Sequence, residues 1–333
     1  MEWLATQTFH HREFADFSAL AMEKRAQGLR IAVCIPTLNE EATIGDVVSV
    51  LASSLGGPGG LVDELLVIDS GSQDRTLDIA RSAGARVLEA DEILPELGRR
   101  RGKGENLWKA LFASSADILC YIDADIRNIH PRFVAGLVGP LLRHPHVGYV
   151  KGFYRRAGVE TESGQPIGGG RVTEILVRPL FSLFAPELCA VIQPLAGEYA
   201  ARRGVLEHLA FPVGYGVETA HLIDVVNRFG LNVLAQCDLE ERVHRHRSNA
   251  DLGRAAFGIL QVFFSRIGGE EIRQILDRNA RLHRLVLADE GGLRLEESTS
   301  HEEERPPMIS IAAYRERERD RKEHGVTTPT SPA

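Results

Sequence analysis

Between residues 29 and 123, short apolar runs alternate with stretches whose apolar residues recur at helical spacing. That alternation constrains the fold more than any other feature of the chain. Residues 29–35 are apolar and β-branched, which predicts a buried strand stopped by Pro36. Residues 40–55 place Ile44, Val47, Val48, Leu51 and Leu55 on one helical face. The glycine–proline cluster at 56–60 breaks that helix, and 64–69 reads as a second strand. Together they predict a right-handed, parallel βαβ unit. The pattern continues with a helix over 74–83 closed by Gly84 and a short strand at 85–88. A helix over 105–113 follows, with Leu107, Trp108, Leu111 and Phe112 on its inner face, and then a strand over 117–123. Such a series predicts an α/β domain that takes ligands at the C-terminal ends of its strands.

The flanks read differently. Residues 1–28 are mixed and polar, with helical spacing at Phe14, Phe17, Leu20 and Ala21, as expected of an arm that packs on the body or on a partner subunit. From Glu296 the chain is highly charged and poor in large apolar residues, which predicts a solvated, disordered tail. The formal net charge of −7 argues against a nucleic-acid binder, so any anionic ligand needs a local basic cluster. Cys34, Cys120, Cys189 and Cys237 stand far apart with no C-x-x-C pair, which fits small core side chains in a reducing compartment. No basic n-region and apolar h-region open the chain, and the longest apolar stretch, 175–197, is broken by Arg178 and Glu187. A cytoplasmic protein without a membrane segment is expected.

The chemistry-bearing residues cluster at the predicted strand ends. The first strand runs into Pro36-Thr37-Leu38-Asn39-Glu40-Glu41 and the second into Asp69-Ser70-Gly71-Ser72. Asn39 and Asp74 also suit plain helix capping. No G-x-G-x-x-G follows the first strand, so a dinucleotide-binding reading lacks its fingerprint. Asp123-Ala124-Asp125 closes the apolar run ILCYID. In extended chain the two carboxylates share a face and suit Mg²⁺ or Mn²⁺, which neutralises a departing diphosphate. Lys103 lies between Gly102 and Gly104 beside Arg99, Arg100 and Arg101, and the glycines would let backbone approach a phosphate. The glycines at 168–170 lead into Arg171, Val172 and Thr173, a second candidate anion site. His244 and His246 sit in a third basic cluster, and on spacing alone a surface role for them is the commoner outcome.

The set PTLNEE, DSGSQD, GKGEN, DAD, GGGRVTE, QPLAGEYAARR, GYGVE and RVHR resembles the glucosyl-3-phosphoglycerate synthases and the related bacterial mannosyl-3-phosphoglycerate synthases, over residues 31–267. PTLNEE, DSGS and DAD are shared widely among GT-A enzymes; GGGRVTE, QPLAGEY and GYGVE are more specific. The resemblance implies a GT-A fold, a Rossmann-like mixed sheet flanked by helices, with a helical C-terminal segment. With the arm at 1–28 and the tail at 296–333 read from the residues, the chain is expected to divide into a nucleotide-sugar and acceptor domain at 29–237 and a metal-site and helical segment at 238–295. By resemblance, Pro36, Leu38, Glu40 and Ser70 line the nucleoside pocket, and Asp123 with Ala124 meets the donor. Asp125 and His244 bind the metal, and Lys103 touches the phosphates. Gly170, Arg171, Thr173 and His246 hold the acceptor, Leu195, Ala196 and Gly197 pass the transferred sugar, and Glu218 lies near its hydroxyls. Thr37 and His246 depart from the mycobacterial pattern, which has Ala and Asn there.

The implied reaction is metal-dependent transfer of glucose, with retention, from UDP-glucose to the 2-hydroxyl of 3-phosphoglycerate. Transfer from GDP-mannose is the alternative. The resemblance also implies a homodimer. Three rival classes remain: a polyprenyl-phosphate glycosyltransferase, a nucleotidyltransferase and a non-catalytic sugar-nucleotide binder.

Overall fold

The computed structural model describes residues 2–156, 170–243, 248–278, 280–287, 293–299 and 302–324. Its strands are β1 (Thr8–His10), β2 (Ile31–Thr37), β3 (Glu64–Asp69), β4 (Arg86–Glu89), β5 (Ile118–Tyr121), β6 (Tyr149–Arg156), β7 (Tyr199–Arg202), β8 (Phe211–Pro212), β9 (Leu234–Arg242), β10 (Arg281–Leu287), β11 (Leu293–Thr299) and β12 (Glu304–Arg305). Eight of them form one sheet in the order β1-β9-β6-β7-β5-β2-β3-β4. All neighbours pair in parallel except β7, which runs antiparallel to both β5 and β6. The alternating half of the sequence supplies β2–β5, the parallel half of the sheet on one side of β7, while β6, β9 and β1 pair in parallel on the other. β2 and β5 are buried along their length, as a strand covered by helices on both faces must be.

Helices Ile44–Leu55, Thr76–Ser82 and Lys103–Ala113 connect these strands. Ile44, Val47, Val48, Leu51 and Leu55 are all buried, as their spacing predicts. Pro36 does not stop β2. It pairs with Ile68, and Thr37 pairs with Asp69. β5 accompanies β2 only as far as Cys34, so Pro36 lies where β2 has one partner strand and its missing N–H disrupts no ladder. Three of the four cysteines are buried and none is in a disulfide.

The N-terminal arm packs on the body. Helix Phe17–Ala26 buries Leu20 and Ala21, Glu23 pairs with Arg143 at 3.0 Å, and β1 adds an edge to the sheet beside β9. Among the described residues no helix is long and apolar enough to cross a membrane.

The C-terminal expectations need correction. The boundary at 237/238 falls inside β9, and the one at 295/296 falls inside β11. The charged tail is built into the molecule over residues 302–324. β12 pairs antiparallel with β8, Met308 and Tyr314 are buried, and helix Ala312–His324 follows. The cause is polar. Arg305 makes a two-armed pair with buried Glu105, at 2.7 and 2.8 Å, and donates to the Leu97 and Gly98 carbonyls. Trp108 Nε1 donates to the Pro306 carbonyl. A composition-based reading registers few apolar residues and misses a strap held by arginines.

Candidate active site

The loops at the C-terminal ends of β2 and β3 are clasped together by short polar side chains. Buried Asp69 accepts from Thr37 Oγ1 at 2.9 Å and from the Gly71 and Ser72 amides at 2.7 Å each. Asn39 is not a helix cap. It takes a left-handed φ of 56°, its amide donates to Ser72 Oγ, and its Oδ1 accepts from the Gln73 amide. Ser70 Oγ donates to Asn106 Oδ1 at 2.8 Å, which ties this loop to helix Lys103–Ala113. Pro36, Leu38, Glu40 and Ser70 therefore share one rim. Leu38 is 52% exposed there, an apolar side chain held in the open beside polar loops.

β5 ends at Tyr121, so Asp123 and Asp125 lie in the turn after the strand, and the same-face argument for an extended chain does not apply. Two cations gather the carboxylates instead. Lys103 Nζ bridges Asp123 Oδ1 at 2.7 Å and Glu218 Oε1 at 2.9 Å. Arg242, at the end of β9, reaches Asp123 Oδ2 at 3.1 Å, Asp125 Oδ1 at 2.7 Å and Glu198 Oε1 at 3.1 Å. The Nη1 that meets Glu198 also donates to the Tyr154 hydroxyl at 2.7 Å, while Nη2 serves both aspartates. The network thus joins strand ends of β5 and β9, the residue before β7, and two helix N-termini.

Burial opposes the charge on Lys103, but Asp123 and Glu218 outweigh it and hold the ammonium above its ordinary pKa. Burial likewise opposes the charge on Arg242, and Glu198, Tyr154 and Asp123 outweigh it. Burial also pushes the Glu198 carboxyl up, against the pull of Arg242. Arg242 Nε has no partner among the described residues. Gly197 sits against the Lys103–Asp123 pair, where any Cβ would collide with both groups.

The glycines around Lys103 have a different use from the expected one. A Cβ at Gly102 or Gly104 would strike the carbonyls of Val213 and Pro212, so these glycines let the helix start pack against β8. Arg99 and Arg100 are likewise engaged with protein, pairing with Asp91 at 2.8 Å and Glu303 at 2.7 Å. Gly170 precedes a helical segment that opens at Arg171 and has a π turn over Thr173–Val177. Arg171 donates to Asn249 Oδ1 at the start of helix Asn249–Ile267, and Thr173 is buried. Ala196 and Gly197 are buried and Leu195 partly so. Gly168, Gly169, His244 and His246 lie outside the described residues.

Among the described residues this site offers a hard divalent cation one donor, Asp125. Asp125 gives Oδ1 to Arg242, and its Oδ2 meets no other group among the described residues, at a side chain 25% exposed. A free carboxylate oxygen at the mouth of the sheet is the ligand type that Mg²⁺ and Mn²⁺ prefer. Sequence reasoning passed over Glu198 and Tyr154, and named Arg242 only as part of a basic run. Glu198 was legible as the charged residue of QPLAGEY, an acid set in an apolar context.

An α/β sheet with one reversed strand, and paired aspartates and a lysine at its mouth, is the arrangement that the resemblance to GT-A glycosyltransferases implies, and the comparisons with known proteins give the same class. The glycosyl transferase family 2 domain matches residues 32–209. A glucosyl-3-phosphoglycerate synthase from Petrotoga mobilis is 48% identical over 314 residues, covering 93% of this chain and 96% of that protein. The Mycobacterium tuberculosis enzyme of the same name is 46% identical over 250 residues, 74% of this chain and 76% of that one. The M. tuberculosis structure in complex with Mn²⁺, uridine diphosphate and glucosyl-3-phosphoglycerate superposes with a TM-score of 0.80 at 40% identity, covering 91% of this chain and 99% of that one. A mannosyl-3-phosphoglycerate synthase structure from Rubrobacter xylanophilus gives 0.83 at 34% identity, covering 93% and 99%. The chain belongs to glycosyl transferase family 2 and, within it, to the glucosyl-3-phosphoglycerate synthase family.

Proposed function

We propose that this chain transfers glucose from UDP-glucose to the 2-hydroxyl of 3-phosphoglycerate, releasing UDP. The observation that carries the reading is the Lys103–Asp123–Arg242–Asp125 network at the strand ends. It stands in a chain nearly half identical, end to end, to a synthase of that name. Electrostatics supports a metal requirement. Asp123, Asp125, Glu198 and Glu218 face Lys103, Lys151 and Arg242, which leaves the site one charge negative before any substrate arrives. A diphosphate and a phosphorylated acceptor need a further cation there. In this reading Asp125 and His244 hold Mg²⁺ or Mn²⁺, and the bound metal neutralises the leaving diphosphate.

The remaining roles are part of the proposal. Pro36, Leu38, Glu40 and Ser70 hold the nucleoside, with exposed Leu38 giving an apolar face for the base. Asp123 and Ala124 meet the ribose, and Lys103 the diphosphate. Residues 195–197 border the sugar. Gly170, Arg171, Thr173 and His246 hold phosphoglycerate. The acceptor oxygen bonds to the anomeric carbon as the bond to diphosphate breaks, and the acceptor proton passes to the leaving diphosphate oxygen. Glu218 is engaged by Lys103, which supports an orienting role rather than a nucleophilic one. A cytoplasmic homodimer completes the proposal.

One assay tests it: nucleoside diphosphate release with 3-phosphoglycerate and Mg²⁺, offering UDP-glucose, GDP-glucose and GDP-mannose separately. The expected result is release from UDP-glucose that requires the acceptor. The TM-score of 0.83 to the mannosyl enzyme favours GDP-mannose as the second reading, and the preferred donor separates the two. Release of pyrophosphate, or stimulation by a lipid phosphate instead, would overturn both.

A further inference from the structure

Lys151 on β6 is buried to 1% exposure. Lys24 and Lys109, the other buried lysines among the described residues, each reach a carboxylate: Asp63 at 2.7 Å and Glu105 at 3.7 Å. Lys151 forms no such pair. Its ammonium donates to the Ala196 carbonyl and lies 5.4 Å from the centre of the Tyr199 ring. A methionine of similar length would fill the space without the penalty of burying a charge. Lysine adds a donor and a cation beneath one particular stretch of backbone.

That stretch is pinned from several sides. The Ala196 amide donates to the Gln193 carbonyl at 3.1 Å, and the Gly152 amide donates to the Glu198 carbonyl at 2.9 Å. Gly197 presses on the Lys103–Asp123 pair with no room for a Cβ. The backbone of residues 195–197 is thus wedged between the carboxylate network above and Lys151 below.

We propose that Lys151 is a positioning residue for glycosyl transfer: by holding the Ala196 carbonyl it sets residues 195–197 against the Asp123–Lys103 pair. The inference rests on the proposed function only for what this backbone faces, the transferred sugar. Burial draws the Lys151 ammonium down to about 8 while Glu218 opposes the shift. Glu198 and Asp123 also favour its charge and Lys103 disfavours it, and His221 and the Tyr149 and Tyr199 rings pack nearby. The amine therefore loses its proton at mildly alkaline pH and becomes a weaker donor. The folded value lies below the ordinary lysine value of 10.5, so the cost of burying this charge is relieved and stability from this group rises as pH goes from 8 to 10.5. Loss of activity over that range from this source is not unfolding.

The test compares the full-length wild type with Lys151→Met and Lys151→Gln by two readouts. The first is kcat and KM for UDP-glucose from pH 6 to 9.5. The methionine variant should lose roughly 10- to 100-fold in kcat through misplacement of the loop. The wild type should show an alkaline fall near pH 8 that the methionine variant lacks, and glutamine should restore part of the rate. The second is amide hydrogen exchange across residues 193–199 without substrate, expected to rise in Lys151→Met while the rest of the sheet keeps its protection. Unchanged exchange there, or a wild-type kcat and pH profile in both variants, overturns the proposal. Absence of acceptor-dependent release by the wild type instead counts against the proposed reaction and leaves the exchange readout to decide Lys151. Should the methionine variant fail to fold, Lys151→Gln is read by the same two criteria.

Discussion

The parallel half of the sheet and the C-terminal strap meet on one helix, Lys103–Ala113, and are held to it by different forces. On the inner side Leu107, Trp108 and Leu111 pack into the apolar core beneath β2 and β3. On the outer side the strap grips Glu105 through Arg305, and the Arg305 guanidinium lies 5.3 Å from the centre of the Trp108 ring. The same strap reaches the loop before Glu218, where Glu302 accepts from the Gly214 amide at 2.5 Å, and Glu304 pairs with Arg266 at 2.6 Å. Lys103 and Glu218, the two ends of the central ion pair, thus both begin helices that the strap touches. Apolar burial gives the first region its stability through area removed from water, without regard to direction. The strap depends on a few charge-assisted hydrogen bonds, of which the two-armed Arg305–Glu105 pair is buried and the hardest to replace.

This contrast sets the order of expected effects. Arg305→Met removes the two-armed partner of buried Glu105 and leaves it only Lys109, at 3.7 Å, so it should destabilise the fold by about 3–5 kcal/mol, read by urea unfolding. Combining it with Glu105→Met should recover most of that loss. Recovery failing in the double variant would show that the strap is held by packing rather than by the pair. Next comes Asp125→Ala, expected to lower kcat by roughly 10²–10³-fold while the unfolding midpoint barely moves, since the carboxylate lies at the mouth and outside the core. Equal losses of activity and stability would place Asp125 in the structural network instead.

A smaller effect concerns pH. His221 is fully buried among Tyr149, Tyr199 and Phe211, its Nε2 has no partner among the described residues, and burial holds its pKa well below 6.5. The unfolded chain takes up a proton below 6.5 that the folded chain refuses. This group therefore removes stability as pH falls below 6.5, with a limiting slope of about 1.4 kcal/mol per pH unit. Unfolding measured between pH 5 and 7 should show that slope flatten in His221→Leu. The smallest effect is at the surface. Glu23→Ala breaks a half-exposed pair with Arg143 and should change stability by under about 1 kcal/mol, less at high salt.

Much of the parallel half was legible in the chain because helix and strand periodicities are local. Ile44, Val47, Val48, Leu51 and Leu55 had to share a face whatever surrounded them, and the family 2 match at residues 32–209 takes in this half and runs on through the reversed β7. The candidate site was legible in part. Lys103, Asp123 and Glu218 were named from motifs, and they do come together. Arg242 and Glu198 were not assigned roles, because their significance lies in partners more than 40 residues away in sequence. The charged tail was misjudged for the same reason. Arg305 and Glu105 are 200 residues apart, and nothing near Arg305 announces a buried partner.

What the sequence determined alone was the alternation of strand and helix and the presence of acidic and basic residues at the strand ends, since both are properties of neighbours along the chain. The tertiary structure decided which carboxylate met which cation, that β7 would run backwards between β5 and β6, and that a charged tail would be anchored through buried Arg305 and Glu318. Those outcomes follow from charges desolvated together across long sequence distances, and a buried charge is stable only where the fold delivers its partner.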